Sequence, residues 1–415
     1  MNIGMRLKQL KENNSSNSPF EDGFRGMTSS NSTTKGGFKA MIPLFIIAFI
    51  NLLFAYKYGI RATSLALPIS LIYIFVFLFI PKLSNSIFDK YKMISPSTIL
   101  LIILGLFVGI HIAGFNIVPV GKLNVDRWQI ITGFWDSVKD GVYPYYPRTP
   151  DANPPGPMPL YFVFAYPFYL IGEIGFYSLL GVLLFAIFTY RNINDKRSVL
   201  IINLLLIASL SINWEIVSRS TILINSVLML ILMDYLLTHA INNWKNLLIS
   251  AIISGLLLST RSIFILMFIV IILYKIRSKE LSLMQSALWF SIAMIAYLLP
   301  LGFFALIYPH DFWRMNPLIV QSEFLIPPYF VGIFILIALV LGIRTQTLNG
   351  VYLSSAIALF SAILIYCCYH IATSGFETAY INSKADISYF IFCIPFLLFY
   401  LGFREKTELN QKTDN

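Results

Sequence analysis

The side chains best placed for chemistry are Asp126, Glu215, Arg219, Arg261, Asp311 and Arg314, with His310 beside Asp311. All fall at the ends of long apolar runs rather than within them. A carboxylate at such a junction can take a proton from an alcohol, which makes Asp126 a candidate general base. Arg219, Arg261 and Arg314 can hold a phosphate through paired donors and offset charge on a leaving group. His310 and Asp311, in YPHDFWR, can contact phosphate or sugar hydroxyls. Each residue also has a plainer use. Asp126 at a helix start offsets the helix dipole, worth about 0.3–1 kcal/mol. An arginine at the end of a span is tolerated by snorkelling. Glu215 stands four residues before Arg219, a spacing at which the two meet on one helix face and pair. Of the four histidines, His111 and His370 fall in apolar runs and His239 toward the other side, so their spacing makes no metal site. No P-loop, GxGxxG, GxSxG or HExxH pattern occurs.

The elements that position these residues are membrane spans. The chain has 415 residues, 57% apolar and 12% charged, and its mean hydropathy is +0.74, well outside the soluble range. Apolar segments long enough for about 30 Å of hydrocarbon recur near 39–56, 64–81, 98–117, 174–190, 199–212, 220–238, 247–259, 262–274, 285–307, 329–343, 350–371 and 387–402. The expected fold is therefore an all-α integral membrane protein of about twelve spans. Segment 159–172 is apolar but short, with Pro167 inside, and reads as re-entrant or interfacial. Cys367, Cys368 and Cys393 fall inside apolar spans as packing residues.

The net charge of +10 does not point to nucleic acid, because the basic residues lie between spans rather than on one face. They report topology. With 159–172 not crossing, the loops richest in Lys and Arg (RNINDKRS and KIRSKE among them) fall on one side, which the positive-inside rule makes cytoplasmic, together with both termini. Residues 1–37 are Ser/Asn-rich and expected to be disordered, without the apolar stretch of a cleaved signal peptide. Residues 38–403 form the membrane domain and 404–415 a cytoplasmic tail. Asn-, Ile- and Lys-rich usage suggests an AT-rich bacterial genome and hence the inner membrane.

Opposite the basic loops lies 118–172. Asn124 is placed to cap an amphipathic helix whose apolar positions Trp128, Ile131, Trp135 and Val138 recur at helical spacing before Gly141 ends it. Its tryptophans are expected to anchor at headgroup level. The run YPYYPRTPDANPPGPMP then has too much proline for a helix and reads as a stiff extended segment.

This order resembles the GT-C superfamily of membrane glycosyltransferases, particularly the polyprenyl-phosphate-mannose-dependent mannosyltransferases. The matching positions are Asp126 after a span, the turn Gly141, Tyr143, Pro144 and Tyr145, and Pro154-Pro155 leading into Tyr161. The resemblance covers roughly residues 98–275. Here the acidic loop follows the third span instead of the first, and Asp126-Arg127 stands where some relatives carry adjacent acids. The resemblance implies a GT-C-like bundle with interfacial helices in its first large outer loop. It also implies a polyprenyl-phosphate-linked sugar donor, mannose or another hexose, and a glycolipid or glycan acceptor outside the membrane. Asp126 would be the base; Arg219, Arg261 and Arg314 would bind donor phosphate; Glu215, His310, Asp311, Tyr143 and Tyr145 would bind or orient substrate. No cofactor is expected, and a divalent cation is not indicated. The competing classes are a flippase or transporter and a polymerase or ligase of lipid-linked saccharides. The first would carry repeated halves and paired mid-membrane charges, whereas only Asp234 interrupts the central spans. The second normally has its large loop later in the chain.

Overall fold

A computed structural model describes residues 34–90, 95–123, 125–146, 153–241, 243–324 and 326–403. The expectations for 1–33, Asn124, residues 147–152 of the proline run and the tail 404–415 lie outside them. Among the described residues the fold is all helix. In chain order the α-helices are α1 Thr34–Gly59, α2 Ala66–Lys90, α3 Pro96–Ile117, α4 Arg127–Lys139, α5 Pro159–Ile171, α6 Gly175–Asn192, α7 Lys196–Ala208, α8 Leu210–Val217 and α9 Ile222–Thr238. They continue as α10 Trp244–Leu258, α11 Ile265–Arg277, α12 Leu283–Ile307, α13 Pro309–Arg314, α14 Pro317–Phe324, α15 Tyr329–Arg344, α16 Leu348–Ser374 and α17 Ile394–Gly402.

Five of these, α1, α2, α3, α12 and α16, are long and apolar enough to cross a membrane alone; the number rises to seven if each of two bent pairs is one span. Each of the twelve expected segments coincides with helix, but α9, α10, α11, α15 and the 387–402 segment are shorter. The 199–212 segment is broken between α7 and α8 by a 59° bend. Apolar surface is left uncovered on the outside of the longer helices: Leu101 is 73% exposed, Leu299 65% and Leu306 84%. Such surface is stable in hydrocarbon and not in water.

The two ends of the bundle are finished differently. At the end carrying the basic loops, helix starts are closed locally. Ser95, Asp195, Asn243 and Thr347 accept from backbone N–H groups two or three residues on, and Ser282 with Gln285 forms a capping box. At the other end, α4, α6, α9, α11 and α15 begin without a cap from their own N-cap side chain. There Glu173 accepts from Gly175 N (2.8 Å) and Glu215 reaches across a turn to Leu223 N (3.0 Å). Carboxylates are thus concentrated at this second end by unmet helix-start donors.

Over that end lie α4 and α5. Phe134 of α4 stacks flat on Phe162 of α5, with centroids 3.8 Å apart, and Trp135 Nε1 donates to Phe162 O at 3.0 Å. Trp135 is tied to α5 and Trp128 Nε1 is covered, while both rings stay partly exposed. The chain leaves α5 through Gly172, at φ 84°, and turns by 116° into α6. At 13 residues, α5 is about 20 Å long, short of the hydrocarbon thickness.

Candidate functional site

Asp126 stands immediately before α4 but does not cap it, since its side chain makes no bond to the helix start. Its Oδ2 accepts instead from Asn153 Nδ2 at 2.6 Å and more loosely from Asn153 N at 3.4 Å. The stiff proline segment is thereby folded back onto the start of the amphipathic helix. That segment is fastened further along, with Gln321 Nε2 donating to Gly156 O (2.9 Å), Ser262 Oγ donating to Gln321 (2.7 Å) and Leu160 N donating to Ser259 O (3.2 Å). Oδ1 of Asp126 has no hydrogen-bond partner among the described residues.

The next residue, Arg127, forms an ion pair with Asp386, donates to Ser388 Oγ at 2.9 Å and lies over the Tyr389 ring at 5.7 Å. Desolvation opposes its charge, but Tyr389, Asp126, Tyr161 and Glu215 together outweigh that and raise its pKa. Arg127 therefore joins the start of α4 to the segment after α16. Tyr161, at the start of α5, also carries the Arg261 guanidinium over its face at 4.7 Å. Arg261 forms no ion pair among the described residues, and its Nε is buried without a partner.

Arg219 is different. It lies beyond the end of α8 at Val217, in a left-handed conformation (φ 55°), so the helical spacing to Glu215 is lost. The expected Glu215–Arg219 pair is replaced by Arg219–Glu173, at 3.2 and 3.3 Å to the two oxygens. The guanidinium also donates to Val217 O (2.7 Å), Phe115 O (3.3 Å) and Val118 O (2.9 Å), and rests on the Phe115 ring. Buried and bonded to Glu173 and to three backbone carbonyls, Arg219 closes the C-terminal end of α3. Glu215 is buried too, one oxygen on Leu223 N and the other unpartnered.

The remaining expected residues form a second group around α13. Tyr143 donates to Met315 O at 2.5 Å and Tyr146 to Asp311 at 3.1 Å, while His310 and Arg314 are exposed. Desolvation, followed by the hydrogen bond to Asp311, raises the Tyr146 pKa; desolvation, then Tyr146 and Asp311, raises that of Tyr143. Tyr145 is not available to a ligand: it is fully buried, its hydroxyl lacks a partner, and the edges of Phe134, Phe162 and Phe304 surround it. The alternation that turns Tyr143 toward α13 turns Tyr145 into the core. A separate groove of about 300 Å³, lined by Tyr274, Arg277, Ser278, Thr345 and Gln346, lies at the other end of α11 from Arg261 and touches none of these groups.

Sequence reasoning missed Arg127, Asn153, Asp386, Ser388 and Tyr389. Only the D-x-S spacing of Asp386 and Ser388, a local helix-start pattern realised as bonds of 2.6–2.9 Å, marked that segment as more than a connector. Compared with known proteins, the chain matches no family model, no curated protein and no solved structure.

Proposed function

We propose that the chain is a GT-C-type membrane glycosyltransferase of about twelve spans, moving a hexose, mannose by resemblance, from a polyprenyl monophosphate to a glycolipid or glycan acceptor. The observation that carries this reading is Asp126. It occupies the N-cap position of α4, leaves the helix uncapped, and is held through one oxygen by Asn153, while the other oxygen has no hydrogen-bond partner among the described residues. Asn153 fixes the carboxylate while Oδ1 takes the proton of an acceptor hydroxyl. The acceptor oxygen attacks the anomeric carbon, the bond from that carbon to the phosphate oxygen breaks, and its electron pair leaves on polyprenyl phosphate with inversion. Arg261, lacking an acidic partner, meets the charge that develops there. Arg127 and Asp386 brace the start of α4 so that Asp126 keeps its direction. Tyr143, Asp311 and Arg314 belong to the loop-to-α13 frame, with His310 and Arg314 open to an acceptor.

The test is sugar transfer by purified protein from a synthetic polyprenyl-phosphate hexose. Asp126→Asn is expected to lower the rate by about 10²–10⁴ with the fold intact. Transfer at the parent rate removes Asp126 from the base role.

A further inference from the structure

At the end of the bundle carrying the basic loops, α11 and α15 stop side by side. They approach closely there, because Gly342 of α15 lies against Leu273 and Val270 of α11 with no room for a Cβ. The groove of about 300 Å³ opens between the two helix ends, walled by Tyr274, Arg277 and Ser278 on one side and by Thr345 and Gln346 on the other. Carbonyls at a helix C-terminus ordinarily favour cations, but here they are already met. Ser278 N donates to Tyr274 O, Lys279 N to Ile276 O, Glu280 N to Lys275 O and Thr345 N to Leu341 O, all at 2.9–3.1 Å. The local acid is engaged as well: Glu280 pairs with Lys275 at 2.6 Å and accepts from Ser278 Oγ at 3.1 Å. Arg277 is exposed and forms no ion pair among the described residues; Nη1 donates to Ile343 O at 2.5 Å, which fixes the guanidinium at the groove wall. Lys279 and Arg344, exposed and likewise without an ion pair among the described residues, adjoin the lining residues Ser278 and Thr345.

We propose that this groove binds the headgroup phosphate of an anionic phospholipid, with Arg277 as its principal cation and Gln346 as a neutral donor on the facing wall. A cation is unsuited to the place, because the carbonyls are taken and the unpaired side chains around it are positive. What adjoins the groove favours a lipid over a free anion. Tyr329, Ile333, Leu336, Val340 and Ile343 of α15 are all exposed and recur at intervals of three and four, so one apolar stripe runs the length of the helix to the groove. An acyl chain lying on that stripe brings its headgroup to Arg277, and basic pockets between membrane helices take anionic headgroups by the same means. A volume of about 300 Å³, at the small end of ligand sites, admits a headgroup and leaves the tails outside. The groove lies at the opposite end of α11 from Arg261, so this site is independent of transfer chemistry at Asp126.

The test uses the full chain, delipidated in a polyoxyethylene detergent, with phosphatidylglycerol and phosphatidylcholine of matched acyl chains as probes. Dissociation constants are read by native mass spectrometry. The parent is expected to hold phosphatidylglycerol about fivefold or more tighter than phosphatidylcholine. Arg277→Gln should weaken phosphatidylglycerol binding about tenfold or more, the loss of one charge-assisted bond. Lys245→Gln removes an exposed cation of α10 at the same end of the bundle, away from the groove lining, and should stay within about threefold. Gln346→Glu keeps Arg277 and its bond to Ile343, sets a carboxylate on the facing wall, and should weaken binding as much while the unfolding midpoint stays near that of the parent. Equal affinity of the parent for the two lipids, equal losses in Arg277→Gln and Lys245→Gln, or unchanged binding in Gln346→Glu overturns the proposal. Inorganic phosphate that displaces phosphatidylglycerol at equal concentration would make the groove a free-anion site and overturn the lipid assignment.

Discussion

Arg219 provides the sharpest separation between a structural and a functional arginine. Replacing it by Met keeps much of the volume and removes the Glu173 pair together with the donors to Val217, Phe115 and Val118. Breaking one side of a buried pair costs about 3–5 kcal/mol. Two features move the value toward the lower end. Glu173 is 20% exposed and recovers some hydration, and hydrogen bonds in membrane proteins are worth less than their geometry suggests. Relief of the left-handed backbone is not available to Met, and only Gly would regain the roughly 1–2 kcal/mol involved. A loss of about 3 kcal/mol is a large fraction of a total stability of about 5–15 kcal/mol. It is read as a shift in the unfolding midpoint in mixed micelles, followed by tryptophan fluorescence. Glu173→Gln alone retains an acceptor and is expected to cost about 1–2 kcal/mol. The double variant should cost less than the sum of the two, because both remove the same contact. An Arg219→Met protein as stable as the parent but unable to bind polyprenyl phosphate would refute the reasoning and return Arg219 to the ligand.

Tyr145→Phe removes a buried hydroxyl without a partner, so stability should stay level or rise by about 1 kcal/mol with transfer unchanged; a large loss of transfer would mean that the hydroxyl meets substrate. Arg261→Gln is expected to raise the KM for the lipid-phosphate donor more than tenfold with the unfolding midpoint near that of the parent. Gly255→Ala would drive its Cβ into the Ala293 carbonyl of α12 and should destabilise the α10–α12 contact by about 1–3 kcal/mol or more, measured as a lower melting temperature. Tyr143 is held above its ordinary pKa by desolvation, so folding favours the neutral phenol. Its contribution is complete below the unfolded value near pH 10 and is lost as pH rises through the higher folded value. Melting temperature should therefore fall above about pH 10, and Tyr143→Phe should flatten that slope.

Periodicity and charge together made much of this molecule legible. Helix stands at each of the twelve apolar runs, and the amphipathic spacing of 127–139 predicts α4, but the short α13 and α14 were not predicted. What periodicity and charge do not reveal is which partner each charge takes. Spacing paired Glu215 with Arg219, but the left-handed turn at Arg219 sends its side chain to Glu173. Trp128 and Trp135 share the interval of one helix face, but only the fold shows that Trp135 is tied to α5.

The amino-acid sequence by itself determined an all-helical, membrane-suited chain and the period of its amphipathic helix, because hydropathy and helical period are local properties. Tertiary structure alone decided that Asp126 is held by Asn153, that Arg127 is answered by Asp386 from the far end of the chain, that Arg219 pairs with Glu173, and that Arg261 has no acidic partner among the described residues. Those outcomes depend on contacts between residues up to hundreds of positions apart. Burial leaves a charge only the partners that the packed helices bring within reach.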